Sequence, residues 1–349
     1  MTGLRNWAPP LLAFVLARAV SWVVAAGLGV DAFAVRTWVK WDSGHYLNIA
    51  RNGYQLFHCG ASGFGRPEDW CGNTGWMPLY PALMALARKA GIDDQLAGVA
   101  VSALCHAGAL CLIWIAFLES ALTARALLAL AVAAFFPGAI YDQAVFPISL
   151  FTLCAAASID AAARGRETTS GLLGAAAAGA YATGILLAPV LALRRRALPP
   201  LFTAAGFFAV LAAQRIAVGA WDAFFKAQAK YGHHLHDPLG DLGNRIGPLD
   251  APALQTIWVL AFMLAIGFVV WRRRPLDARD RLLAGYALVF WLFPLAVGGK
   301  VSLYRAESLL LPAAPLLRHL PVWALALFAL AAAAIALPMT ELFLRGSLV

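Results

Sequence analysis

Eight stretches of this chain are apolar for about the 20 residues that a helix needs to cross the hydrocarbon of a bilayer: 8–30, 95–118, 123–142, 146–163, 197–217, 253–271, 280–297 and 321–341. No other feature constrains the fold as strongly. A backbone in lipid has no water to bond, so it spans as a helix that satisfies its own N–H and C=O groups. A shorter apolar run at 306–320 fits a helix packed inside a bundle. Charged residues make up only 13% of the 349, against roughly a quarter in a soluble domain. The first apolar stretch, Trp7 to Val30, exceeds the roughly 7–15 residues of a signal-peptide core and shows no cleavage site, so it is expected to remain as a span.

The stretch 170–193 admits two readings. As one span it places Arg194, Arg195 and Arg196 opposite Arg164 and Arg166. As two half-helices hinged near Tyr181–Gly184, it returns them to the same side. Under the second reading Arg5, Arg125, Arg164, Arg166, Arg194–Arg196, Arg272–Arg274, Arg279, Arg281 and Arg318 all share one face. The positive-inside rule makes that face cytoplasmic. Irregular backbone at membrane depth requires protein or a wet cavity around it, so 170–193 is expected to be a re-entrant pair lining a cavity.

This arrangement leaves three polar segments on the extracytoplasmic face: 31–94, 218–252 and 298–305. The first includes a short amphipathic stretch, Met77 to Lys89, suited to lie along the interface. It also holds Cys59 and Cys71, which can pair if that side is oxidising; packing alone is the other possibility. Cys105, Cys111 and Cys154 fall within apolar runs and read as packing residues. The net charge of +9 sits in short clusters between spans. It is therefore topology signal, and no nucleic-acid partner is expected. No repeat or linker divides the chain, so residues 1–349 are read as one domain.

Trp41-Asp42-Ser43-Gly44-His45-Tyr46 carries the most chemistry. An aspartate among aromatics beside a span can be a general base in a partly dry pocket. It can equally be the N-cap of the helix that starts at Ser43. Near the third outer segment, Lys300 and Arg305 flank Tyr304, where they could bind a lipid phosphate or anchor the helix end at the interface. His233, His234 and His236 with Asp237 suggest a metal at first sight. Adjacent loop histidines seldom converge on one ion, and neither metal nor cofactor is expected. Arg18, inside the first span, snorkels or pairs within the bundle.

The run WDSGHYLNIARNGY (41–54) followed by WMPLYPALMAL resembles the first outer loop of the GPI mannosyltransferase 2 (PIG-V) family, members of the GT-C glycosyltransferases. Further similarities follow in the same order: FFPGAIYDQAVFPISLFTL (135–153), AGAYATGILLAPVL (178–191), WDAFFKAQAKYG (221–232) and, loosely, FLRGSLV (343–349). The resemblance implies an all-α membrane bundle of the GT-C kind, with about 11 transmembrane or re-entrant helices and a structured first outer loop. It implies inverting transfer of a hexose, mannose in the family, from a polyprenyl-phosphate donor to a lipid or glycan acceptor. Asp42 matches the expected base, and His45 would orient it or touch the acceptor. Where the family places a glutamate this chain has Gln143, with Asp142 beside it to supply the acid. Where the family has an arginine before the re-entrant hinge, this chain has Tyr181. Tyr181, Thr183 and Gln143 are thus expected to line the re-entrant cavity. Lys300, Tyr304 and Arg305 are expected at the donor phosphate. A transporter or lipid flippase, or a non-catalytic lipid-binding member of the same fold, is the rival reading, since transporters also build sites at broken helices.

Overall fold

The computed structural model of the protein describes residues 7–62, 66–233, 235, 237–247, 249–297 and 303–348. In chain order the helices of the first half are α1 (Ala8–Gly27), α2 (Ser43–Asn52), α3 (Leu79–Lys89), α4 (Asp94–Leu112), α5 (Ala124–Ala134), α6 (Ile148–Ala163) and α7 (Glu167–Ala180). Those of the second half are α8 (Leu187–Ala192), α9 (Leu198–Val218), α10 (Ala223–Ala229), α11 (Pro238–Ile246), α12 (Ala251–Arg272), α13 (Ala278–Val297), α14 (Leu303–Ser308) and α15 (Val322–Leu344). A two-stranded antiparallel pair, β1 (Leu56–His58) and β2 (Trp70–Gly72), is the sole sheet among the described residues.

Six of these helices are long and apolar enough to cross a membrane: α1, α4 with its π-turn to Phe117, α9, α12, α13 and α15. The chain is thus an all-α, multi-pass membrane protein. Their ends follow local chemistry. Asp93 caps α4 by accepting from the amides of Gln95 and Leu96. Pro199 and Pro200 open α9, and Gly219 closes it in the left-handed region.

Three of the expected apolar helices come out differently, and one of them, 146–163, is the 16-residue α6, shorter than the six long ones. The run 123–142 is helical only to Ala134. Pro137 lacks an amide hydrogen, and Gly138 turns the chain at φ 87°, so a 3₁₀ turn, Ala139–Asp142, follows. The run 306–320 is mostly a 3₁₀ segment, Leu311–His319, because Pro312 and Pro315 cannot donate to an α ladder.

The stretch 170–193 is a broken pair. Helix α7 stops at Tyr181, whose backbone is extended, and a 3₁₀ turn, Ala182–Leu186, leads into α8. A Cβ at Gly184 would meet the Ala177 carbonyl, so only glycine allows the chain to fold back this closely on α7. Arg196 Nε lies 3.4 Å from a Glu167 carboxylate oxygen, which puts the end of the second arm beside the start of the first. The same end of the bundle gathers Arg164 and Arg279 on Asp160, and Arg318 and His319 on Asp280.

At the opposite end, the first polar segment forms a braced cap. Cys59 and Cys71 are joined in a disulfide across the β1–β2 pair. Asn73 accepts from the Gln55 amide and donates to the Gly53 carbonyl. Buried Asp94 takes Arg51 at 2.6 Å and Arg88 at 3.7 Å, tying α2 and α3 to the start of α4. Thr74 donates to the Ala223 carbonyl, Gln214 to the Thr74 carbonyl and Gln228 to the Gly75 carbonyl. Those three bonds fasten the cap to α9 and α10.

Candidate functional site

Asp42 precedes α2, yet its side chain does not cap that helix. The carboxylate pairs instead with the guanidinium of Arg305 on α14. Two features turn it that way. Trp41, just before it, sits at φ 42°, a conformation that a bulky side chain rarely adopts, and packs edge-on against Phe343 at 5.2 Å. Ser43 is buried and accepts from the Lys40 amide, which closes the turn. Backbone strain of this kind costs about 1–3 kcal/mol and persists where the surroundings enforce it.

Aromatic rings wall the pair. Arg305 lies 5.5 Å from the Phe146 ring centre and 6.0 Å from that of Tyr141, within cation–π range. Tyr141 in turn stacks on Tyr304 at 6.3 Å. His45, one turn into α2, stacks on Trp76 at 3.5 Å, and Tyr231 meets the edge of Trp76. The Asp42 side chain remains 26% exposed and that of Arg305 16%, so the pair is sheltered but reachable.

The electrostatics follow from this packing. Burial pushes the Tyr46 hydroxyl well above the ordinary tyrosine value, and the negative charge of Asp42 adds to the effect. Tyr231 is pushed up to about 12, by burial first and by Asp42 second. Both hydroxyls therefore stay protonated as potential donors beside the carboxylate. Burial lowers the His45 imidazole below its ordinary value; Lys230 lowers it further, while Asp42 partly offsets this. His45 is thus neutral at neutral pH, able to pass or accept a proton but not to serve as a fixed cation.

Tyr181, at the hinge, carries an electrostatic interaction with both Arg305 and Asp42, so the tip of the re-entrant pair reaches this pocket. Thr183 follows in the same turn, with its buried hydroxyl bonded to no protein group. Asp142 and Gln143 bond elsewhere. After Tyr141, which the 3₁₀ turn presents to Arg305, the Asp142 side chain bonds to α6 and that of Gln143 to α1. Ser149 donates to the Asp142 carboxylate at 2.9 Å, and Gln143 donates to Ser21 at 2.7 Å. Neither side chain carries a bond to Asp42 or to the hinge. Lys300, His234 and His236 lie outside the described residues. Among those described, no group of three or more His, Cys, Asp or Glu side chains is arranged to hold a metal.

Sequence reasoning passed over Tyr46, Trp76, Tyr141, Phe146 and Tyr231 as site residues. All five lie within the segments quoted for the family resemblance, so aromatics inside those segments were the available signal. In comparison with known proteins, no family model matches the chain and no curated protein matches it.

Proposed function

We propose that the protein is an inverting glycosyltransferase of the GT-C kind, in the PIG-V family, and that it moves a hexose from a polyprenyl-phosphate donor to a lipid or glycan acceptor. The sugar is mannose by resemblance. The Asp42–Arg305 pair carries the reading: a carboxylate that caps nothing, held by a half-buried cation in a tyrosine-walled pocket at the end of the bundle away from the arginine clusters. Asp42 accepts the proton of the acceptor hydroxyl as that oxygen attacks the anomeric carbon. The bond to the lipid phosphate breaks, the configuration inverts, and Arg305 turns from Asp42 to the departing phosphate with its paired donors. Exchange of one anion for the other frees the base as the leaving group is stabilised. With the positive-inside rule, the pocket opens on the extracytoplasmic face of a bacterial plasma membrane.

A transporter or flippase is the second reading, favoured by the broken helix at Tyr181. One assay separates the two. Purified protein in sealed proteoliposomes is given radiolabelled polyprenyl-phosphate mannose and an extract of membrane lipids and glycans. The expected result is release of polyprenyl phosphate together with a labelled product. Movement of label across a vesicle membrane with no new glycosidic bond would favour the transporter, and absence of transfer from every lipid-linked sugar offered would sink the enzyme reading.

A further inference from the structure

Arg18 lies within α1 and is 7% exposed, which puts a permanent charge inside the bundle. Its guanidinium rests 5.0 Å over the Phe14 ring, donates to the Asp142 carbonyl at 3.2 Å and faces the charge of Asp142. The other face of Phe14's surroundings is His106, whose ring meets Phe14 edge-on at 5.6 Å. His106 sits one turn beyond Ser102 on α4, and Ser102 donates to the carbonyls of Ala144 and Phe146. Two residues further, Gly108 packs on Leu153 of α6. These contacts set His106 level with the first turns of α6, where Ser149 and Thr152 lie. Four elements thus bring Arg18, His106, Asp142, Gln143 and Thr152 into one region of the bundle core.

All five side chains are buried, with exposures of 7%, 1%, 1%, 2% and 1%. Each keeps hydrogen-bonding capacity that no protein group uses: Arg18 Nε, both ring nitrogens of His106, Asp142 Oδ2, Gln143 Oε1 and Thr152 Oγ1. Buried polar groups are bonded in the large majority of cases, and the cost of leaving them bare rises where the surroundings are apolar. The set is mixed, with donors and acceptors together, so a single ion of either sign would satisfy only part of it. A small neutral molecule that both donates and accepts would suit all of it.

We propose that this region is a bound-water site in the membrane-spanning core, in which water bridges Arg18, His106, Asp142, Gln143 and Thr152. At about three hydrogen bonds per buried water, the six unused atoms correspond to about two molecules. The water solvates Arg18 where lipid cannot. It also binds α1 and α4 to the turn whose far side presents Tyr141 to Arg305. The site stands independently of the reaction assigned to Asp42.

Hydroxyl-radical footprinting of the full chain in nanodiscs tests this without any substitution, because radicals formed from bound water modify the side chains beside it. Each residue's rate is divided by its rate in the denatured chain. His106 is expected to react several-fold faster than Phe136, Phe290 and Tyr80, which are equally buried; the Tyr80 hydroxyl is already satisfied by Gly98 and Ser102. Thr152→Val, which keeps the shape and removes one water partner, is expected to reduce the His106 rate. Protection of His106 equal to that of the three controls overturns the proposal. A Thr152→Val chain with an unchanged His106 rate overturns the part assigned to Thr152.

Discussion

Arg305 donates to the carboxylate of Asp42 across 263 positions of sequence, so the first and last polar segments of the protein meet in one ion pair. Neither group is fully buried. Both groups keep some contact with solvent, but the Arg305 guanidinium still carries a desolvation cost, which its attraction to Asp42 offsets. Removing Arg305 takes away the cation that faces the Asp42 carboxylate among tyrosines and Phe146.

Asp42→Asn keeps the size of the side chain but cannot take the acceptor's proton. General-base contributions are typically about 10²–10⁴-fold in rate. The variant is expected to bind donor and to transfer at least about a hundred-fold more slowly, at the lower end of that range. Single-turnover transfer from prebound donor measures this. Asp142→Asn, at a residue bonded to Ser149 of α6 and not to Asp42, is expected to slow transfer far less; equal damage from both would show that the two carboxylates share the chemistry.

Arg305→Ala is expected to weaken donor binding by about 1.5–3 kcal/mol, or roughly ten- to a hundred-fold, the worth of one charge-assisted contact. Arg305→Lys keeps the charge without the paired donors and should fall between the two. Equilibrium binding of polyprenyl-phosphate mannose to Asp42→Asn and to the double variant separates phosphate binding from support of the base. An unchanged donor affinity in Arg305→Ala would make the residue a partner of Asp42 alone.

The Arg196–Glu167 contact places both ends of the broken pair on one side of the bundle. Cysteines introduced at positions 195 and 273, in a background lacking the three free cysteines, should both be shielded from an impermeant thiol reagent in intact cells. Labelling of position 195 from outside would contradict the positive-inside assignment of that face.

His45 carries a pH signature of known sign. Burial holds its folded-state value below the ordinary value of about 6.5, so in mildly acidic solution the unfolded chain binds more protons than the folded one. Stability is therefore greatest above about 6.5 and declines as pH falls through that value toward the lower folded one. Thermal unfolding at neutral and mildly acidic pH should show this loss, and His45→Gln should flatten it. A slope unaltered by the substitution would assign the acid sensitivity elsewhere.

Hydrophobic periodicity and run length were enough to find all six long helices, with ends shifted by at most about four residues, the usual uncertainty of sequence-based boundaries. They failed at 123–142 and 306–320, where prolines and Gly138 set the backbone while hydropathy stayed high. A window of apolar character does not register a missing amide hydrogen. Asp42 was legible from its neighbours and Arg305 from its place beside a span, but nothing local joins two residues at opposite ends of the chain. The direction of the Asp142 side chain was not legible, because sequence adjacency to Tyr141 says nothing of direction in a 3₁₀ turn. The fold-back at Tyr181–Gly184 was legible only through the arginine count on either side of it.

The bonds that fasten the cap to α9 and α10 also impose an order on biosynthesis. Thr74 leaves the ribosome long before Gln214 and Ala223, its partners, so the cap waits through the insertion of five more helices (α4 to α8) with its hydroxyl and carbonyl uncommitted. During that interval the disulfide and the Asn73 bonds can close the loop upon itself but cannot seat it. A nascent chain halted before α9 would present a closed, unseated loop to chaperones and proteases on that side of the membrane.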